Sequence, residues 1–274
     1  MKIKYLGTGG SEGIPASFCV CPVCENARKA GGKEVRRRAS ALINDEILVD
    51  LSPDFFSQAL ELHLDLSRLR ALLITHTHYD HFYLRELTNR AVAPEHLMGP
   101  AVLDILGSEE AEECLHRDVA GKNRDVLYRV IDFTVLKPFV PFEYGEYTIT
   151  PLKARHNCVE PFIFIIEEGG KRMLYGNDTA FFPEETWDYM QGIYFDFVSL
   201  DCSNFTALET DEHMCLEDNL TTKKRMYQLG NANEKTRFFA THFSHLAAAS
   251  HYEIDETMRI YGIRPVYDGL EITF

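Results

Sequence analysis

Four metal-capable side chains stand within six residues at His76-Thr-His78-Tyr-Asp80-His81, directly after the apolar run at 71–74. In an extended chain residues i and i+2 point to one side, so His76 and His78 can grip one cation together. The turn that follows carries Asp80 and His81 away from them, towards a second cation. Imidazole and carboxylate donors suit Zn²⁺, Mn²⁺ or Fe²⁺, and mixed shells of this kind are typical of hydrolytic centres. Such a segment needs further donors from distant parts of the chain, delivered at other strand ends. Three residues stand where that requires: His156 after the strand-like stretch 149–154, Asp178 in Tyr-Gly-Asn-Asp after a hairpin, and His242 after the strand 237–240.

The remaining pattern surrounds these positions with sheet. Residues 2–6 alternate polar and apolar and run into Gly7-Thr-Gly-Gly10, and 41–43 with 47–50 read as a hairpin across Asn44-Asp45-Glu46. An amphipathic helix is expected over 53–62, another from about Phe82, and a third over 109–116. From 130 to 178 the pattern is rich in strands. Beyond it, helices over 184–190, 216–229 and 248–261 alternate with strands at 195–201, 237–240 and 265–267. Hairpins with helices interspersed predict an α+β chain, sheet packed on sheet with helices outside, as a single domain over 1–274.

Charge narrows the partners. The chain has 42 acidic against 28 basic residues, a net of −14. Nucleic-acid affinity rests largely on Lys and Arg neutralising phosphates, so nucleic acid is a disfavoured partner. The opening residues carry no apolar signal-peptide core and no run reaches membrane-spanning length, so a cytoplasmic location without membrane contact is expected. Seven cysteines are present, three of them crowded into Cys19-x-Cys21-x-x-Cys24. In a reducing compartment that crowding points to metal ligation from one short loop, and a tetrahedral zinc would need a fourth donor. Cys114, Cys158, Cys202 and Cys215 are scattered and read as small packed side chains.

Taken in order, His76, His78, Asp80, His81, His156, Asp178 and His242 resemble the metal-ligand series of the metallo-β-lactamase superfamily. Asp50, in Leu-Val-Asp, resembles its early aspartate, which usually orients the metal-binding loop. Within the superfamily the chain resembles the PhnP-type phosphodiesterases, which act on cyclic phosphates in phosphonate breakdown. That likeness is carried by Leu6-Gly-Thr-Gly-Gly-Ser-Glu-Gly-Ile-Pro15, the cysteine triplet, Asn177-Asp-Thr179, Asp201-Cys-Ser203, His213, Thr241-His-Phe-Ser-His245 and Tyr267-Asp-Gly-Leu-Glu271.

The resemblance implies a four-layer αββα sandwich, the metallo-β-lactamase fold, with the active site at one edge of the two sheets. It implies one zinc or manganese ion held by His76, His78, His156 and Asp178. A second would be held by Asp80, His81, His242 and the shared Asp178, and a hydroxide between the two would be the nucleophile. His213 and Asp80 are the residues expected to take part in the chemistry. His213 would face the substrate phosphate and give a hydrogen bond, or a proton to the leaving alkoxide. A separate structural zinc would be held by Cys19, Cys21, Cys24 and His245, with His251 near enough in sequence to compete as the fourth ligand.

The expected substrate is a small phosphate diester, with cyclic diesters foremost. The alternatives on the same superfold are an acyl, thioester or lactone hydrolase, a tRNase Z-like nuclease, and a non-catalytic binding protein. The segment 93–129 is longer than the resemblance requires and is expected to form a lid or a homodimer contact. Its stretch 109–129 carries Arg117, Lys122, Arg124 and Arg129 against six acidic residues, so it is no basic arm for RNA.

Overall fold

The alternating segment at the start forms β1 (Lys2–Gly7), paired antiparallel with β2 (Ser40–Ile43). Asn44 and Asp45, both at positive φ, turn β2 into β3 (Ile47–Val49). The computed structural model describes residues 1–119, 124–206, 211–247 and 249–274. Between the first two strands lies α1 (Pro22–Ala30), opened by a proline that is pre-set for the first helical turn. After β3, α2 (Phe55–Glu61) leads to β4 (Ala71–Leu73), then α3 (Leu84–Thr88) to β5 (Leu103–Gly107). Next, α4 (Glu109–Asp118) and α5 (Arg124–Val130) lead to β6 (Ile131–Val135). From β3 to β6 neighbouring strands run parallel, as helical crossovers require.

The second sheet has the same two halves. β7 (Phe142–Tyr144), β8 (Tyr147–Lys153), β9 (Phe162–Glu168) and β10 (Lys171–Gly176) form an antiparallel meander. After it, α6 (Glu184–Met190), β11 (Phe197–Asp201), α7 (Leu216–Gln228), β12 (Arg237–Thr241), α8 (His251–Arg259) and β13 (Ile263–Pro265) add parallel strands. The last strand, β14 (Glu271–Thr273), returns to pair with β1. Among the described residues there are thus two seven-stranded sheets, ordered β14-β1-β2-β3-β4-β5-β6 and β13-β12-β11-β10-β9-β8-β7.

Burial explains the layers. Ala41, Ile43 and Leu73 face Phe164, Tyr175 and Phe197 across the space between the sheets. Their strand neighbours Leu42, Leu48 and Leu72 point the other way, onto Ile105, Ala111 and Leu115. On the far side Trp187, Met226, Ile254 and Met258 cover the outer face of the second sheet. Strands buried on both faces read as continuous apolar runs. The order is helices, sheet, sheet, helices, which is the expected αββα sandwich.

Several expectations are corrected. Parallel pairing makes up half of each sheet, where the sequence pattern suggested mostly hairpins. Within the segment 93–129 the described residues include a strand of the first sheet, β5, lying between β4 and β6, with Ala111, Leu115 and Leu127 buried in the core beneath. Lys122 falls outside the described residues. The last helix starts at His251 rather than Ala248, which is itself outside them. Ser250 caps it, its hydroxyl accepting from the Glu253 N–H while the Glu253 carboxylate accepts from the Ser250 N–H. The following strand is Ile263–Pro265 rather than 265–267; Pro265 lacks an N–H and sits on the outermost strand, where a sheet tolerates it. Among the described residues no helix is long and apolar enough to cross a membrane.

Candidate metal centre

The ends of β3, β4, β10, β11 and β12 bring the site together. Asp50, Asp178 and His242 follow β3, β10 and β12, and each has φ near +60° (62°, 54° and 64°). This left-handed backbone is uncommon for residues other than glycine, with Asp, Asn and His tolerated best. The sharp bend lifts each side chain out of the strand direction. Beyond β4, the 78–82 turn closes with the His81 and Phe82 N–H groups both donating to the His78 carbonyl, at 3.0 and 2.9 Å.

Two donor groups result. The nitrogens of His76, His78 and His156 lie within 4.8 Å of one another, as do the donor atoms of Asp80, His81, Asp178 and His242. Asp178 stands between them. Its Oδ2 is 3.4 Å from His76 Nε2, 2.8 Å from His81 Nε2 and 3.4 Å from His242 Nε2, while Oδ1 is 3.4 Å from His156 Nδ1. The expected ligands thus gather around Asp178. Asp201 and His213 come as near to it, their donor atoms and those of Asp178 and His242 again lying within 4.8 Å of one another.

The packing of these donors bears on whether cations fit. His76 Nε2, His81 Nε2, His242 Nε2 and Asp178 Oδ1 are buried without a hydrogen-bond partner, close though they are. Buried polar atoms are seldom left so. Each ring is held instead by its other nitrogen. His81 Nδ1 donates to Asp50 Oδ2 at 2.7 Å, His242 Nδ1 pairs with Ser203 Oγ at 2.7 Å, and His76 Nδ1 pairs with Thr75 Oγ1 at 3.0 Å. Fixing Nδ1 and leaving Nε2 bare is the arrangement that orients metal-binding imidazoles. Burial disfavours charge on Asp178, yet His242, His213 and His81 outweigh it and hold its carboxyl well below the ordinary value. Burial, with His81 beside it, keeps the His76 ring neutral. Those are the forms a cation requires. At His81 and His242 burial also opposes charge, but Asp80 and Asp50 around the one and Asp178 and Asp201 around the other raise both rings. A cation there would displace their protons.

His213 lines a cleft of about 280 Å³ over this centre, together with Gly10, Ser11, Glu12 and Asn204. Its Nδ1 lies 3.1 Å from Asp178 Oδ1 and 3.2 Å from Asp201 Oδ2, and its side chain keeps 25% exposure. Burial opposes its protonation, but Asp201 and Asp178 more than compensate and push its pKa to about 11.

The cysteine cluster is separate. Cys19 Sγ and Cys21 Sγ each lie 3.5 Å from His245 Nδ1, and all four donors fall within 4.8 Å. A tetrahedral shell with sulfur at about 2.3 Å and nitrogen at about 2.0 Å places such donors roughly 3.5 Å apart, so the residues fit zinc. The Cys24 N–H, with His245, draws the Cys21 thiol down to about 6 despite some desolvation. The sequence placed all three thiols in one loop; instead Cys24 lies in the first turn of α1 and Cys21 at its N-cap position. His251 is engaged elsewhere, its Nδ1 2.9 Å from Arg36 Nη2, so His245 is the residue that joins the cysteines.

The model of the beta-lactamase superfamily domain matches residues 45–243. The chain belongs to the β-lactamase superfamily. An octanoyltransferase of Porphyromonas gingivalis is 33% identical over 160 residues, 57% of this chain and 31% of that protein. A ribonuclease Z of Mycobacterium tuberculosis is 27% identical over 192 residues, 66% of this chain and 62% of that protein. The matches thus cover about a third of the one relative and under two thirds of the other. Among solved structures, a diphosphatase of the PhnP family superposes with a TM-score of 0.77 at 22% identity, covering 100% of this chain and 97% of that one. Zn²⁺-bound PqqB from Methylobacterium extorquens gives 0.71 at 17% over 100% of both chains, and the short form of human tRNase Z gives 0.68 at 15% over 100% and 99%. These likenesses share the metallo-β-lactamase fold. Superfamily membership and the His/Asp cluster indicate a metal-dependent hydrolase.

Every residue expected at the centre of this superfamily member reaches one of the two clusters or the cleft. Asp201 and Ser203 were visible only as part of a resembling segment, without a role. In the structure Asp201 Oδ2 accepts from Ser203 Oγ at 3.0 Å and faces both His213 and His242, so it steers two rings at once. Glu12 was missed as well; it lines the cleft and lies 3.6 Å from His245 Nε2. Asp50→Asn tests the steering of the rings. Losing the buried charge behind His81 is expected to lower metal affinity roughly 10–100-fold with the fold retained. Chelator competition measures this, and unchanged affinity would leave Asp50 a purely structural residue.

Proposed function

We propose that this hydrolase is a phosphodiesterase acting on small phosphate diesters, cyclic ones foremost. The observation that carries the reading is His213, an imidazole open to the cleft and held 3.1 Å from Asp178 Oδ1. In this reading His76, His78, His156 and Asp178 hold one divalent ion, and Asp80, His81 and His242 hold the other with Asp178. Zinc and manganese both suit the set. Bound there, the pair would lower the pKa of water and offset charge on phosphate oxygens. Asp178 fixes the spacing of the two shells, and Asp201 keeps the His213 ring in the cleft. His213 then orients a non-bridging phosphate oxygen, or holds the proton that the leaving alkoxide takes. Cys19, Cys21, Cys24 and His245 form a closed zinc shell that supports structure only.

The small cleft and the −14 charge favour a small diester over a long RNA. The metal-loaded protein should be tested on bis(p-nitrophenyl) phosphate, a cyclic nucleotide, a thioester and a lactone. The diesters are expected to be hydrolysed, and a preference for the thioester or lactone would overturn the reading. His213→Ala should keep its metals and stability while the rate on the cyclic nucleotide falls roughly 10²–10⁴-fold. The loss should be smaller for the p-nitrophenyl ester, whose leaving group needs no proton. Metal lost with the imidazole would instead make His213 a ligand.

A further inference from the structure

Away from the cleft, a cavity of about 560 Å³ runs along the outermost strand of the second sheet, and none of its lining residues also lines the cleft. Its cations are Lys33, Arg237, Arg259 and Arg264, in a chain whose net charge is −14. Two of them are placed against each other by strand register. Phe239 of β12 lies opposite Arg264 of β13, and Arg237 is two residues from Phe239 on the same strand face. The Arg237 guanidinium indeed lies over the Phe239 ring, 5.4 Å from its centroid. Arg237 and Arg264 are therefore diagonal neighbours on one face, two like charges brought near each other.

The carboxylates of the cavity do not neutralise this pair. Asp255 is taken by Arg259, and Glu271 by Lys4 at 3.2 Å and Lys2 at 3.7 Å. Among the described residues neither Arg237 nor Arg264 has an ion-pair partner, and Arg237 spends one N–H on the Thr273 carbonyl at 2.8 Å. Burial and then the Arg264 charge both pull the Arg237 pKa down, as expected for a cation lacking a counter-charge. Lys33 and Tyr267 also line the cavity, Lys33 Nζ sitting 4.3 Å over the Tyr267 ring.

We propose that this cavity is a second binding site, for a small phosphate-bearing anion. Paired guanidinium forks match phosphate oxygens in geometry as well as charge. An anion there would remove the repulsion between Arg237 and Arg264 and take up their unused donors. A cavity of this volume is in the ordinary range for a small-molecule site. The inference is independent of the hydrolytic reading, because no arginine is among the residues lining the cleft.

The test follows the arginine side-chain N–H signals of the ¹⁵N-labelled, metal-loaded protein during titration with inorganic phosphate. Ionic strength is held constant with chloride. The Arg237 and Arg264 signals, assigned by their loss in Arg237→Gln and Arg264→Gln, are expected to shift together and saturate. In Arg264→Gln, an exposed change on the edge strand, the Arg237 signal should need on the order of tenfold more phosphate. Signals that stay in place, or that chloride alone moves equally, would overturn the proposal. So would an Arg237 response unchanged in Arg264→Gln. Binding of phosphate in the cleft moves neither signal, so it cannot imitate the expected result.

Discussion

Asp178→Ala is expected to reduce hydrolysis to background and to release both exchangeable cations. The Asp178 carboxylate lies within 3.4 Å of nitrogens from His76, His81, His156 and His242, and it is almost wholly buried. Without it the first shell keeps only neutral imidazoles, and the second keeps a single carboxylate, Asp80. Removing one electrostatic stabiliser commonly costs roughly 10²–10³-fold in rate, and here two shells fail together, so a loss beyond that range is expected. Alanine also fits poorly at φ +54°, so a folding defect has to be separated from a chemical one. Asp178→Asn serves for this, since asparagine tolerates that backbone while losing the charge. Metal analysis and initial rates should show both variants depleted and inactive, with Asp178→Asn folded. Full activity in a metal-depleted Asp178→Ala protein would end the two-metal reading.

Cys21→Ser is expected to release about one zinc per chain and to lower the melting temperature by about 10 °C, the scale of a loss near 4 kcal/mol in a chain of this size. A structural zinc contributes to folding because the unfolded chain has no preformed shell. Cys19 and Cys21 are tied through His245 to the turn that carries His242, three residues earlier. Activity should therefore fall through displacement of His242, and should largely return well below the melting temperature when metal is in excess. A folded variant with two metals bound and no activity would show that the cluster does more than support structure.

The site was legible in the sequence because its donors are local or end apolar strands. His76 to His81 form one short segment, and His156, Asp178 and His242 each follow a strand whose pattern can be read. What the spacing could not supply is action at one remove. Asp201 binds no expected cation; it works through His213, His242 and Ser203, and only three-dimensional proximity reveals that. The layered α+β fold was also legible, but not its pairing, because parallel partners such as β11 and β12 lie a helix apart in sequence. Strand β5 escaped for a local reason. Asp104 interrupts Leu-Asp-Ile-Leu, and its carboxylate is satisfied by Tyr144 Oη, 2.6 Å away on the other sheet. Helix α1 had a readable signal in Pro22 at its first turn.

The bent backbone at Asp50, Asp178 and His242 has a consequence for how such a chain can change over generations. Each left-handed residue withholds roughly 1 kcal/mol or more from the folded state, so the three together withhold a few kcal/mol. That is a large share of the 5–15 kcal/mol by which domains are typically stable. Glycine at any of the three positions would relax the chain and erase the side chain the site requires. Selection for robustness alone would therefore drift towards glycine and lose the centre. Retaining aspartate and histidine there demands a scaffold with stability to spare, which the two doubly covered sheets provide.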